Sequence, residues 1–383
     1  MSFILHDHQQ DTRDQIGRAY VEGHRAIMCQ APTAFGKTIL ACSIISGALA
    51  KEKKLPDGTT RLQRVCIVVP AISLINQTYE KLAQNGINCV GVIQANNPLT
   101  SPAMPVQIAS VQTLVARKML LDDFDLVMID EAHRWFKLYE KWLPMLKERD
   151  VTVIGLTATP WTRGLAKWFD KLIVAATLRD LVAQGFLSSF RVFNSPRGVR
   201  PDLSQVKMVA GDYHEGELST AMQGDLLIAD AVATWKDKAL GRPTLVFAVD
   251  RAHAAKLQRE YNAAGIPAGY IDMYTELMER EEIKGQLQRG ELQVVCNVDT
   301  LTIGVDWPFV SCIQNCRPTK SEMRYVQVMG RGLRLSPETG KTDCLILDHS
   351  TTTDRLGFVD DCYDRMTGAG LNDGKKDTST KTK

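Results

Sequence analysis

Short apolar runs separated by helical stretches recur along this chain, and that alternation constrains its fold more than any other feature. Val65–Val69 (Val-Cys-Ile-Val-Val) is apolar throughout, as a strand buried on both faces would be. Arg25–Gln30, Val106–Ser110, Phe124–Asp130 and Thr152–Leu156 are further strand candidates, and Thr38–Ala50 and Ser73–Gln84 read as helices. Such alternation predicts a parallel sheet in an α/β fold. The pattern lapses across Ser195–Gly224, where Pro, Gly and polar residues predict loops and short helices. It restarts with strands at Thr244–Ala248, Gly269–Met273, Leu292–Asn297 and Cys344–Asp348, and with helices at Ala252–Ala264 and Glu276–Arg289. Two α/β domains are expected, residues 1–187 and 188–360, with 361–383 a polar, flexible tail. A length of 383 residues suits two domains of about 100–200 residues each.

Composition narrows the class. Hydrophobic residues make up 44% and charged residues 23%, which excludes a disordered or collagen-like chain. No apolar run approaches the roughly 20 residues that span a bilayer, so no membrane association is expected. The N-terminus lacks the basic start and apolar stretch of a signal peptide. Nine cysteines are scattered, and the close pair Cys312 and Cys316 has no second pair at zinc-ligand spacing. They read as reduced thiols packed as small hydrophobes, which fits the cytoplasm. With 46 basic against 44 acidic side chains the net charge is +2, so charge-driven binding of nucleic acid is not expected.

Ala31-Pro32-Thr33-Ala34-Phe35-Gly36-Lys37-Thr38 follows a strand and opens a helix. That is the setting of a phosphate-binding loop. Backbone amides at the helix N-terminus supply partial positive charge to phosphate oxygens. Lys37 would reach the β- and γ-phosphates and the Thr38 hydroxyl would hold Mg²⁺. Thr33, Ala34, Phe35 and Gly36 form the rest of the cradle. Ala31 and Ala34 stand where glycine is common, and the Cβ of Ala34 predicts a negative φ there.

The run Phe124–His133 supplies the acidic counterpart: an apolar strand ending in Asp130-Glu131. A carboxylate at the carboxyl end of a parallel strand lies near the phosphate loop. Asp130 would hold Mg²⁺, and Glu131 would orient and deprotonate the attacking water. Together the two segments predict an ATP hydrolase.

Asp130-Glu131-Ala132-His133 with Thr157-Ala158-Thr159 resembles the DEAH signature of superfamily 2 helicases and translocases. The resemblance runs in order over roughly residues 5–350 and implies two tandem RecA-like domains with ATP and Mg²⁺ between them. Within that frame Gln9 would read adenine, and His133, Thr157 and Thr159 would couple nucleotide state to strand grip. Pro70, Ser73, Ser110, Gln112, Thr113 and Thr300 would contact the nucleic-acid backbone. Gly304 and Asp306 resemble the fifth motif of the family. Gln327, Arg331 and Arg334 resemble the sixth, with the arginines acting on the γ-phosphate. A helix starting after a cap at Ser321 is expected to carry both arginines on one face.

The run Leu156–Phe193 and the ending Leu347-Asp348-His349 look like small phage and prophage helicases similar to the XPB and UvsW branches. The implied activity is ATP-driven, 3′ to 5′ unwinding or remodelling of nucleic acid by a monomer, with DNA favoured over RNA. A duplex translocase that does not separate strands, and an ATP-switched clamp, remain alternatives. With no room for a large accessory domain, a strand-separating element would lie inside the core, with Ser195–Gly224 a candidate.

Overall fold

The computed structural model describes residues 4–371 apart from 56, 95, 197 and 303–305. The chain forms two compact units. Unit 1 runs to Ala176 and takes up the chain again from Thr367, and unit 2 is Thr177–Met366.

In unit 1, helix α1 (Asp7–Val21) precedes strand β1 (Ala26–Gln30) and helix α2 (Lys37–Leu49). A small antiparallel hairpin, β2 (Glu52–Lys54) and β3 (Thr60–Leu62), leads to β4 (Val65–Val69), α3 (Ile75–Gln84), β5 (Val90–Ile93) and β6 (Val106–Ser110). Helix α4 (Val111–Ala116), β7 (Leu126–Asp130), α5 (Lys137–Glu148), β8 (Thr152–Thr157) and β9 (Lys171–Val174) complete the unit's sheet layer. The seven-stranded order is β5-β6-β4-β7-β8-β1-β9, with every pairing parallel. β1, β4, β6 and β8 are buried along their whole length, which is why they are predominantly apolar and β4 entirely so.

Unit 2 begins with α6 (Leu178–Ala183) and β10 (Ser189–Asn194), followed by a two-stranded hairpin of β11 (Met208–Val209) and β12 (Asp212–Tyr213). Helices α7 (Glu215–Met222) and α8 (Asp225–Lys238) lead to β13 (Thr244–Phe247), α9 (Arg251–Ala263), β14 (Ala268–Ile271), α10 (Leu277–Arg289) and β15 (Val294–Asn297). The unit closes with β16 (Cys312–Asn315), α11 (Glu322–Met329), β17 (Asp343–Asp348), α12 (Thr352–Leu356) and α13 (Val359–Gly368). Its six-stranded sheet, β10-β17-β16-β13-β15-β14, is also wholly parallel. Trp235 and Tyr261 are completely buried in its core. The fold is therefore the expected α/β one, with two RecA-like parallel sheets. Among the described residues no helix is long and apolar enough to cross a membrane, and all nine cysteines are unpaired thiols.

Two boundaries differ from expectation. The division falls at Ala176/Thr177 rather than 187/188. Helix α6 belongs to unit 2 because Thr177 and Asp180 form a capping box and Arg179 pairs with Asp360, Asp361 and Asp364 of α13. The segment from 361 is likewise not all tail, because α13 continues to Gly368. Val359, Cys362 and Tyr363 are fully buried at i, i+3 and i+4, a short apolar stripe masked by the polar run after it. Residues 372–383 lie outside the described ones. Tyr363→Ala should cost about 3–5 kcal/mol, by analogy with other buried aromatics. Urea unfolding followed by tryptophan fluorescence checks this, and wild-type stability would mean that α13 is not packed.

Candidate active site

The phosphate loop leaves the carboxyl end of β1. The Ala31 amide donates to the Thr157 carbonyl (2.8 Å), anchoring the loop to β8. Gly36, in the left-handed region at φ +86°, turns the chain into α2. Ala34 is left-handed too, with φ +64°, so the expected negative φ is wrong. The tight turn needs that conformation whatever residue stands there. An alanine meets the requirement at a cost of roughly 1–2 kcal/mol. Gly36 also makes room for a neighbour: a Cβ there would lie 2.3 Å from Gln9 Nε2. Gln9 is buried and donates to the Phe35 carbonyl (2.9 Å), while its Oε1 accepts from the His6 amide (3.1 Å). In this structure Gln9 braces the loop. Lys37 folds over the loop and donates to the carbonyls of Ala31 (3.1 Å) and Pro32 (3.2 Å). Thr33 and Thr38 are half-buried along the same turn.

The acids come from the next elements of the sheet. β8 lies between β1 and β7, with Gln30 opposite Thr157 and Leu156 opposite Asp130. Asp130 ends β7, and Glu131 follows at φ +48°, a strained conformation for a non-glycine residue. Burial and the neighbouring Glu131 charge push the Asp130 carboxyl up to about 6, with Lys37 opposing. Asp130 and Glu131 are half-buried, and carboxylate oxygens of this kind are the donors Mg²⁺ takes. His133 is buried. Its Nδ1 lies 2.8 Å from Thr157 Oγ1 and 3.3 Å from Glu131. The Thr159 amide donates to the same Thr157 hydroxyl (3.1 Å). Glu131, His133, Thr157 and Thr159 thus form one cluster. Thr162, not anticipated from sequence, clamps it by donating to the His133 carbonyl (2.6 Å).

The backbone-contact candidates of unit 1 lie past the carboxyl ends of β4 and β6. Ser73 is exposed, whereas Ser110 is buried and caps α4 by accepting from the Thr113 amide (3.1 Å). Its hydroxyl is also 3.0 Å from Thr113 Oγ1. Gln112 donates to the Pro70 carbonyl (3.0 Å), tying the two loops. The aromatics nearby pack inward: Trp135 stacks on Trp168 at 5.5 Å, and Trp161 is buried.

In unit 2, Ser321 caps α11 by accepting from the Arg324 amide (3.3 Å). Gln327 is on this helix, but Arg331 and Arg334 are not. The helix ends at Met329, and both arginines occupy the turn that follows. Gly330 and Gly332 disfavour continuing the helix. Gly332 is also pressed against the sheet, where a Cβ would lie 2.4 Å from Cys344 Sγ. Arg331 is buried and Arg334 pairs with Asp306. Thr300 donates to the Val298 carbonyl (2.9 Å) after the end of β15. Gly304 lies outside the described residues. Asp299, at φ +51°, is shared by Arg317 (3.0 Å) and Arg324 (3.2 Å). Sequence inspection singled out none of these three, because single charged residues carry no pattern.

A phosphate loop, a carboxylate pair two strands away and a second parallel sheet define a nucleoside-triphosphate-binding core of two RecA-like domains. Residues 2–162 match the family model "Type III restriction enzyme, res subunit", and 226–336 match "Helicase conserved C-terminal domain". These two matches, in this order, fit the core of a superfamily 2 helicase. It is 28% identical over 90% of its length to a Saccharomyces cerevisiae protein whose name proposes an ATP-dependent helicase, IRC3. A 51.5 kDa protein of a Lactococcus phage is 26% identical over 88% of the chain. The chain spans 51% of the yeast relative and 68% of the phage one. A solved fragment of an HsdR subunit of a type I restriction enzyme from Vibrio vulnificus superposes with a TM-score of 0.71 at 21% identity, covering 93% of this chain and 66% of that one. It shares the fold.

The raised Asp130 carboxyl has a consequence for stability. In the unfolded chain it titrates near the ordinary carboxylate value of about 4, so the folded state takes up the proton first as pH falls through 6. Ionised Asp130 therefore opposes folding above pH 6. Asp130→Asn should raise the thermal midpoint at pH 7.5, and the gain should shrink between pH 6 and 4. A pH-independent difference would refute the cause given.

Proposed function

We propose that the chain is an ATP-dependent nucleic-acid helicase, acting on DNA in the 3′ to 5′ direction as a cytoplasmic monomer. One observation carries this reading: Glu131, His133, Thr157 and Thr159 share a hydrogen-bonded cluster whose central residue also anchors the phosphate loop. A change at the nucleotide reaches the Thr157–Thr159 segment through hydrogen bonds rather than through diffuse packing.

The roles follow from the donors present. The loop amides from Thr33 to Thr38 cradle phosphate oxygens, and Lys37 turns from the loop carbonyls onto the β- and γ-phosphates. Thr38 and Asp130 would hold Mg²⁺, which supplies charge neutralisation at the phosphates when bound. Glu131 takes the proton of the attacking water. Arg331 and Arg334, with Gln327 one turn before the first of them, stabilise charge on the transferring group. Guanidinium groups in that role contribute about 10³–10⁵-fold. Gly304 and Asp306 complete the nucleotide side of unit 2. Nucleotide-dependent closing and opening of the two units moves the grip of Pro70, Ser73, Ser110, Gln112, Thr113 and Thr300 along the strand. These contacts are mostly uncharged groups to phosphate, which accords with a net charge of +2.

Glu131→Gln should lower kcat by roughly 10²–10⁴-fold while leaving ATP affinity intact. Turnover at the wild-type rate would remove Glu131 from the role of base. ATPase assays with single-stranded, duplex, forked and four-way DNA, and with matched RNA, identify the polymer. Greatest stimulation by RNA would overturn the DNA assignment.

Unwinding is favoured over translocation alone by the β11–β12 hairpin, which lies inside Ser195–Gly224. Met208 and Val209, which form its first strand, are 44% and 54% exposed. Asp212, paired with Val209 beside the turn, holds the hairpin to unit 2 by accepting from Thr319 Oγ1 (2.6 Å) and the Lys320 amide (2.8 Å). An exposed apolar strand on an anchored hairpin is suited to unstacking a base pair. Changing Met208 and Val209 together to serine should abolish strand release from forked DNA and spare DNA-stimulated ATPase. Undiminished release would leave the hairpin without that role.

A further inference from the structure

The turn bearing Arg331 and Arg334 has no regular secondary structure of its own, yet its backbone is held at every carbonyl from Gly332 to Arg334. The Ser188 amide donates to the Leu333 carbonyl (2.8 Å), and Ser188 Oγ donates to the Arg334 carbonyl (3.1 Å). The other donor is Lys341, which follows a short 3₁₀ turn (Pro337–Thr339) and the left-handed Gly340. Its ammonium donates to the carbonyls of Gly332 (2.7 Å), Arg334 (2.6 Å) and Pro308 (3.0 Å). A lysine ammonium has three protons and no acceptor, so these three carbonyls use its donors fully. Pro308 lies two residues past Asp306, the partner of Arg334. The ammonium therefore joins both chain segments on which that arginine depends. Burial pulls Lys341 down to about 8, the effect of a charge taken out of water.

We propose that Lys341, with Ser188, is a positioning residue for ATP hydrolysis: it fixes the backbone of the arginine turn so that Arg331 and Arg334 are preorganised for the transferring phosphoryl group. The proposal rests on the reading that these arginines act on ATP. Displacing a reacting group by about 1 Å can cost on the order of 10²-fold in rate. Removing the ammonium leaves the Gly332 and Pro308 carbonyls without the donor that joins them. Arginine at 341 would not restore the joint, because its planar fork cannot direct three donors tetrahedrally.

The test is a double-mutant cycle on the full chain, read as kcat and KM for ATP in the presence of saturating DNA, with DNA affinity and thermal midpoint measured beside them. Lys341→Met should lower kcat about 10–100-fold, the scale of such a displacement, with KM, DNA affinity and midpoint little changed. In a background with both Arg331→Ala and Arg334→Ala the same substitution should lower kcat no further, because the groups it positions are already gone. Lys341→Arg should remain impaired. A Lys341→Met kcat within about twofold of wild type would overturn the proposal. So would a full further loss in the background lacking both arginines, which would mark an independent effect. Where Lys341→Met fails to fold, Lys341→Gln and Ser188→Ala carry the test, and wild-type kcat in both would overturn it. An Arg331→Ala enzyme with wild-type kcat would instead remove the reading beneath the proposal, and the proposal with it.

Discussion

The side chain and the carbonyl of Thr157 together tie unit 1's candidate site into one piece. The hydroxyl meets His133 Nδ1 and the Thr159 amide, and the carbonyl accepts from Ala31 at the start of the phosphate loop. Three segments far apart in the chain therefore share one residue. This is possible because β8 sits between β1 and β7, so the carboxyl ends of all three strands open at one edge. A parallel sheet sends every strand end of one kind to the same side, and ligands bind there.

Unit 2 solves its own positioning problem differently. Its arginines stand on a turn held by carbonyl contacts from Ser188 and Lys341, not on a helix face. Asp299 draws Arg317 and Arg324 together at the carboxyl edge of the second sheet, next to Thr300. Ala34, Glu131 and Asp299 are all non-glycine residues in the left-handed region. Strain of this kind persists only where the surroundings over-determine it. Here those surroundings are a bracing glutamine at the loop, the His133 cluster and the paired arginines.

Much of the fold was legible because buried parallel strands are apolar along their length. Val65–Val69 and Thr152–Leu156 were recognisable for that reason. β5, β9 and β16 were not, and it is their pairing in the sheets that identifies them. Helix α13 was overlooked because three buried residues are a weak signal beside a long polar run. In the site, the phosphate loop and Asp130-Glu131 were visible as contiguous motifs. The negative φ at Ala34 and the helical arginines failed for a common reason. Both were inferred from local preference, whereas backbone closure and packing against the sheet decide those positions.

By itself the sequence determined the α/β class, the chemical groups available and their order along the chain. Those depend on residue type and short-range spacing, which hydrophobic pattern and motif report directly. Only the tertiary structure decided that one threonine joins the loop to the acids. It also decided that Gln9 braces the phosphate loop, that α6 and most of α13 belong to unit 2, and that Lys341 reaches the arginine turn. Each of these is a contact between groups distant in sequence or a backbone angle imposed by closure. Neither leaves a periodic trace in the order of residues.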